Sequence, residues 1–272
     1  MSYYNLLGLA REPFSTSPDP EFFYRSTSHD TALKRLEIAI RLRRGLSLII
    51  GDVGIGKTTL SRTLLQTFKG EDNFIFHLIL DPGYKSEFQF LLSLVRMFRI
   101  TPAFKSTLDF KEALEKYLFQ KGVEENKTIV LLIDESQKIT LENLEVLRTL
   151  LNYETNEYKL LQLVMMAQVE LLPRIKRIRN FIDRIALQYT INPLSEEETK
   201  GMIEFRLKQA SYNGQNSLFS AEAAQLIYQF TQGYPRRIAM LCHDALETAV
   251  MKERPIVDAQ LIEELIAQKT NL

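Results

Sequence analysis

Apolar positions follow two rhythms along this chain. Four short stretches are almost wholly apolar: Leu46-Ser47-Leu48-Ile49-Ile50, residues 73–80 (Asn-Phe-Ile-Phe-His-Leu-Ile-Leu), Thr128-Ile129-Val130-Leu131-Leu132-Ile133, and residues 160–167 (Leu-Leu-Gln-Leu-Val-Met-Met-Ala). All four predict strands, and the wholly apolar run at 128–133 predicts one buried on both faces. Between them the apolar residues fall at helical spacing. Residues 29–44 place Leu33, Leu36 and Ile40 on one face, and similar patterns cover 86–98, 108–121 and 141–151. Strands alternating with helices predict a parallel sheet covered on both sides.

After Asn192-Pro193-Leu194 the rhythm becomes purely helical. Ser195 followed by Glu196-Glu197-Glu198 is a helix start, a capping hydroxyl with acids in the first turn. Further helices are expected near 196–210, 220–231, 235–252 and 258–268. Residues 1–28 carry Pro13-Phe14, then Pro18-Asp19-Pro20-Glu21-Phe22-Phe23-Tyr24. Prolines at that density oppose a helix there, and the aromatics suit a segment pinned onto a core. The expected organisation is an aromatic and Pro-rich segment at 1–28 packed on the core, an α/β domain at 29–192 and a helical lid at 193–272.

Composition narrows the classes. The chain has 272 residues, 45% hydrophobic and 25% charged, which suits a globular protein. Its 34 Lys and Arg balance 34 Asp and Glu, so the total neither demands nor excludes nucleic acid. A single cysteine, Cys242, allows no internal disulfide and suits a reducing compartment. No apolar run is long enough to span a bilayer, and Met1-Ser2-Tyr3-Tyr4 does not open a secretory signal. A cytoplasmic location is the expectation.

The strongest chemistry lies just after the first apolar stretch. Gly51-Asp52-Val53-Gly54-Ile55-Gly56-Lys57-Thr58 spell G-x-x-x-x-G-K-[ST], and Thr59 continues into a helical stretch. Glycines let backbone N–H groups turn inward and cradle phosphates, and the helix N-terminus adds its positive end. Lys57 can reach the β- and γ-phosphates, and the Thr58 hydroxyl can hold Mg²⁺. ATP and Mg²⁺ are therefore the expected ligands. A chance Gly-rich turn would not bring strand, loop and helix into this order.

About 75 residues later, Asp134-Glu135 end another apolar stretch. In open α/β sheets ligands bind at the carboxyl ends of strands. An acid pair also arises there from turn chemistry alone. Beside a phosphate loop, however, Asp134 can orient the Mg²⁺ and Glu135 can polarise the water that attacks the γ-phosphate. A glutamate so placed favours hydrolysis over simple binding. Gln168 ends the following stretch, either as a plain polar terminus or as a contact for the γ-phosphate or that water. Two arginine clusters stand out: the first offers a finger for a neighbouring site or a solvated helix face, the second a guanidinium that reaches a phosphate from the lid or a plain surface arginine. One runs through Arg174, Arg177 and Arg179 to Asp183-Arg184-Ile185. The other is Gly233-Tyr234-Pro235-Arg236-Arg237, in which proline at the first helical position sets Arg236 in an opening turn. His29, His77 and His243 are scattered and give no metal-ligand spacing.

With these residues in view, the chain resembles the AAA+ ATPases of the ExeA/GspA/MshM group and the related TnsC/TniB transposition regulators. The resemblance rests on Tyr3-Tyr4 through Gly8-Leu9 with Pro13-Phe14, Pro18-Asp19-Pro20 with Phe22-Phe23-Tyr24, Gly51 to Leu60, and Leu132-Ile133-Asp134-Glu135-Ser136-Gln137. It continues through Ala167-Gln168-Val169-Glu170-Leu171, Asp183-Arg184-Ile185, Pro193-Leu194-Ser195 and Gly233-Tyr234-Pro235-Arg236-Arg237-Ile238. It implies a P-loop NTPase (AAA+) parallel sheet with helices on both faces and a helical lid. It assigns Gln168 and Arg236 as first and second sensors, and Arg184 as the finger offered to the next subunit. Asp81 stands where the group often carries Asn.

The resemblance implies a homo-oligomer, ring or filament, that uses ATP to assemble or remodel a secretion or pilus-type complex. The alternatives are an ATP-dependent regulator of a transposase that binds duplex DNA, and a nucleotide-gated scaffold with little turnover.

Overall fold

The computed structural model describes residues 3–102, 105–212, 214 and 217–270. The chain divides into two compact units. One comprises His29–Val53 and Leu60–Ile191. The other comprises the described residues of Met1–Ser28, Gly54–Thr59 and Asn192–Leu272.

The first unit is built on a parallel sheet. Its strands are β1 (Leu46–Ile50), β2 (Phe74–Ile79), β3 (Thr128–Ile133), β4 (Leu161–Ala167) and β5 (Ile185–Thr190), in the spatial order β2-β3-β4-β1-β5. The three central strands are buried at every position. Successive side chains point to opposite faces. Leu48, Leu131 and Leu163 on one face and Ile49, Leu132 and Val164 on the other are all at most 1% exposed, so both faces are covered.

The helices of this unit are α2 (Thr27–Arg41), α3 (Lys57–Thr67), α4 (Glu87–Met97), α5 (Thr107–Phe119), α6 (Leu141–Leu150) and α7 (Leu171–Ile175), of which α2 and α3 begin in residues of the second unit. Ser86, Ser106 and Thr140 cap α4, α5 and α6 by accepting backbone N–H groups of their first turns. Helix α5 ends in a π-helical turn at Gln120–Glu124. The parallel sheet is the one the sequence predicts, with one strand more. Edge strand β5 alternates half-buried and exposed positions, and Ile185, Leu187 and Tyr189 form its inner face.

The second unit is helical: α1 (Tyr3–Leu6), α8 (Glu196–Gln209), α9 (Ala221–Thr231), α10 (Pro235–Met251) and α11 (Ala259–Thr270). Phe219 pairs with Val257 in an isolated bridge. Ser195 and Glu198 form a capping box at the start of α8. Leu9, Phe14 and Phe22 of the N-terminal block lie in the same apolar cluster as Met202, Ile227, Ile238 and Leu246. Phe14 meets Phe219 edge-on at 5.8 Å, and Arg206 donates to the Ser15 carbonyl at 3.0 Å. The N-terminal aromatics are thus core residues of the helical unit. Among the described residues no helix is long and apolar enough to cross a membrane.

Candidate functional site

The phosphate loop leaves β1 at its carboxyl end. Gly51 N–H donates to the Ala167 carbonyl at 3.1 Å, which continues the β1–β4 ladder one step into the loop. Gly54 and Gly56 then take φ of +77° and +105°, a region side-chain-bearing residues rarely adopt. Helix α3 opens at Lys57. Lys57 is 6% exposed and Ile55 is 1% exposed, whereas Asp52 and Val53 face solvent and Thr58 and Thr59 are half-buried.

Residues Gly54–Thr59 group with the helical unit, and one contact shows why. Arg236 N–H donates to the Gly54 carbonyl at 3.1 Å. A β-carbon at Gly54 would lie 2.8 Å from Arg236 Cβ, so glycine is needed there for space as well as for φ. The first turn of α10 therefore rests on the loop by its backbone. The preceding residues fix that turn. Gln232 and Gly233 both adopt left-handed conformations, and Pro235 occupies the first position of α10. Leu194 N–H donates to the Gly233 carbonyl at 2.9 Å, and a β-carbon at Gly233 would meet the Leu194 oxygen at 2.0 Å. The Arg236 side chain is exposed.

The acid pair ends β3. Strand β3 is two strands from β1, about 10 Å at the usual spacing, and both run in the same direction. Asp134 is 2% exposed, its N–H donates to the Ile79 carbonyl at 2.8 Å, and its Oδ1 accepts Glu135 N–H at 2.9 Å. Glu135 adopts φ +50°, ψ +33°, left-handed backbone that costs a side-chain-bearing residue about 1–2 kcal/mol. Its carboxylate accepts Gln137 Nε2 at 3.0 Å and stands 3.9 Å from Lys138 Nζ. The same ammonium lies 3.5 Å from Asp81 Oδ2. Gln168 N–H donates to Gln137 Oε1 at 3.1 Å, so the ends of β3 and β4 are joined through one side chain. Gln137 and Lys138 were not singled out from the sequence as site residues. Gln137's place two residues after Glu135, beside the chemistry, was the available signal.

The four candidate finger arginines occupy different settings. Arg174 donates to the carbonyls of Gln137 and Ile139, so its guanidinium is engaged within its own chain. Arg177 and Arg179 are exposed. Arg184 immediately precedes β5, and Ile185 is in register with Leu46, the first residue of β1. Arg184 therefore sits at the amino edge of the sheet, whereas Gly51, Asp134 and Gln168 sit at the carboxyl edge. Nearby is Lys159, whose ammonium is held below the usual lysine range by burial and then by the Arg184 charge.

A family model described as an AAA domain matches residues 40–175, half of the chain. The chain is 33% identical over 249 residues to General secretion pathway protein A of Aeromonas hydrophila, covering 91% of this chain and 45% of that protein. It thus spans less than half the length of that relative. Among solved structures it is similar to Drosophila ORC bound to DNA, with TM-score 0.69 and 24% identity over 99% of this chain and 66% of that one. It is also similar to Cdc6p from Pyrobaculum aerophilum, with TM-score 0.68 and 17% identity over 90% and 67%. At these identities the structural likeness is one of fold. The match of the family model to half of the chain, on a five-stranded parallel sheet, shows that the chain belongs to the AAA domain family, as an AAA+ protein of the ExeA/GspA type.

Proposed function

We propose that the chain binds ATP with Mg²⁺ and hydrolyses it as a homo-oligomer, to drive assembly or remodelling of a secretion or pilus-type partner complex. The observation that carries hydrolysis is the Glu135 carboxylate at the carboxyl end of β3, next to the buried Asp134 and accepting Gln137 Nε2 at 3.0 Å. The residues fit the ligands. The glycine cradle at Gly54 and Gly56 leaves no room for β-carbons at Gly54, Lys57 is buried at the start of α3, and Asp134 is a buried carboxylate at a strand end.

In this reading the loop from Gly51 to Thr59 holds the phosphates, and Lys57 meets their charge. Thr58 and Asp134 would hold Mg²⁺, which would supply neutralising charge at the phosphate oxygens. Glu135 orients the attacking water and takes its proton as the water oxygen bonds to the γ-phosphorus and the bond to the leaving diphosphate oxygen breaks. Gln168 and Arg236 sense the phosphate as first and second sensors. Arg184 serves the site of a neighbouring copy.

The identity to General secretion pathway protein A supports the secretion reading of the partner. One observation favours a second reading. Lys176, Arg177 and Arg179 are exposed and form no ion pair among the described residues, which suits a polyanion such as duplex DNA in a transposase regulator.

The test is ATP affinity, ATP turnover and assembly size for the parent, Lys57→Ala and Glu135→Gln, each with and without duplex DNA. Lys57→Ala is expected to lose nucleotide binding. Glu135→Gln is expected to keep binding and lose about 10²-fold or more in turnover. Unchanged ATP affinity in Lys57→Ala sinks the loop assignment. DNA-stimulated turnover and assembly with a steep salt dependence would favour the transposase reading over the secretion one.

A further inference from the structure

Glu135 is not alone at the end of β3. Gln137 Nε2 donates to its carboxylate at 3.0 Å, while Gln137 Oε1 accepts Gln168 N–H at 3.1 Å. Both ends of one amide are engaged, so the amide has one orientation that satisfies both partners. The backbone beneath it is fixed as well. Arg174 donates to the Gln137 and Ile139 carbonyls, and the fully buried Ser136 donates its hydroxyl to the Ile133 carbonyl at 2.9 Å. Lys138 also faces the Glu135 carboxylate, but at 3.9 Å and exposed, where an ion pair contributes little.

A half-buried glutamate after a tight turn has several rotamers of similar energy. A base that must face one water needs one of them. An amide donor anchored at both ends selects it.

We propose that Gln137 is the positioning residue for Glu135, and that it ties the orientation of this carboxylate to the end of β4 through the Gln168 peptide. The inference rests on the reading of Glu135 as the base in ATP hydrolysis. Gln137 touches neither water nor phosphate in this role. It acts through Glu135, and a shift of the Gln168 peptide is passed to the carboxylate through a single side chain. The strand end carrying the proposed first sensor and the strand end carrying the base thereby move together.

The experiment uses the full chain as parent, Glu135→Gln, Gln137→Glu and Gln137→Met. The Glu substitution keeps an acceptor for Gln168 N–H and removes the donor to Glu135. The Met substitution fills similar space and removes both. Steady-state ATP hydrolysis gives kcat and KM, a fluorescent ATP analogue gives affinity, and thermal unfolding reports the fold. The expected result is a kcat lowered by about 10²-fold in both Gln137 variants, as for a misplaced catalytic group, with affinity and unfolding midpoint at parental values.

A Gln137→Glu variant with parental kcat overturns the proposal, because the bond to β4 is then all that matters. Parallel losses of kcat, affinity and midpoint in both variants overturn it too, since they mark a structural role. A parent that binds ATP without turnover, or a Glu135→Gln variant that hydrolyses at the parental rate, removes the underlying reading and the inference with it. That failure shows in the controls alone.

Discussion

Gly8 and Gly233 offer a matched pair for measuring what the Gly-x-Pro-Arg turn requires. Their φ values are +73° and +74°. Around Gly8 a β-carbon would meet nothing within 4 Å, whereas at Gly233 it would lie 2.0 Å from the Leu194 oxygen and 3.0 Å from the Leu194 carbon and nitrogen. Gly8→Ala therefore carries the conformational cost alone, about 1–2 kcal/mol. Gly233→Ala carries the same cost and must also separate two backbone segments by more than 1 Å to reach ordinary van der Waals distance.

That separation breaks the 2.9 Å bond from Leu194 N–H to the Gly233 carbonyl, worth about 1 kcal/mol. It also displaces buried neighbours, at about 1–3 kcal/mol for overpacking. The expected loss is about 3–6 kcal/mol for Gly233→Ala, against about 1–2 for Gly8→Ala. Urea unfolding followed by circular dichroism gives the difference between the variants. Hydrogen exchange of the Arg236 amide reports whether its bond to Gly54 has loosened. Equal destabilisation of the two variants would refute the steric reasoning, as would a Gly233→Ala protein with undiminished protection at Arg236.

Two other expectations follow from the geometry. Mixtures of Arg184→Ala with Glu135→Gln are expected to exceed either variant alone in ATP turnover, because some interfaces then pair an intact arginine with an intact Glu135; mixed oligomers that stay as inactive as their components would exclude Arg184 as a finger acting in trans. His77 stacks on Phe98 at 4.2 Å, and burial first, then the Arg99 charge, lowers its pKa from 6.5 to about 4. Above 6.5 both states are neutral; as the pH falls from 6.5 to about 4 only the unfolded chain gains the proton, so stability drops, by up to about 2 kcal/mol allowing for the ring's part exposure, and levels off below. His77→Phe is expected to remove that part of the pH dependence, and identical pH profiles for parent and variant would refute it.

What could be read from the sequence follows physical locality. The central strands β1, β3 and β4 announce themselves because burial on both faces leaves unbroken apolar residues. Strand β5 does not, because an edge strand with one wet face offers only the alternation Ile185, Leu187, Tyr189, and that is faint over six residues. The phosphate loop and the acid pair are local in sequence and legible for that reason. The strand order depends on pairings between distant segments, which no local pattern encodes. The glycine of the Gly-x-Pro-Arg turn is visible in sequence, but the Leu194 oxygen that forbids a β-carbon there is 39 residues away. Gln137 shows the same limit. Its side chain is chemically ordinary, and only the fold brings the Gln168 peptide to its oxygen.

The sheet register also constrains the arginine finger. Strands β1 and β5 run parallel, and Leu46 pairs with Ile185 while Ile50 pairs with Thr190. Arg184 precedes the first pair, and the phosphate loop follows the last. The two are separated by the length of the strand, roughly 15 Å at 3.3 Å per residue. An arginine side chain spans less than half of that. Rotamer changes within one copy therefore cannot bring Arg184 to the loop of its own chain. Arg174 lies nearer the carboxyl edge, but its guanidinium holds the turn that carries Gln137. If Arg184 meets a nucleotide phosphate, that nucleotide is on another copy, and turnover must then depend on protein concentration. A rate per chain that stays constant from the monomeric to the assembled range would leave Arg184 without a catalytic part.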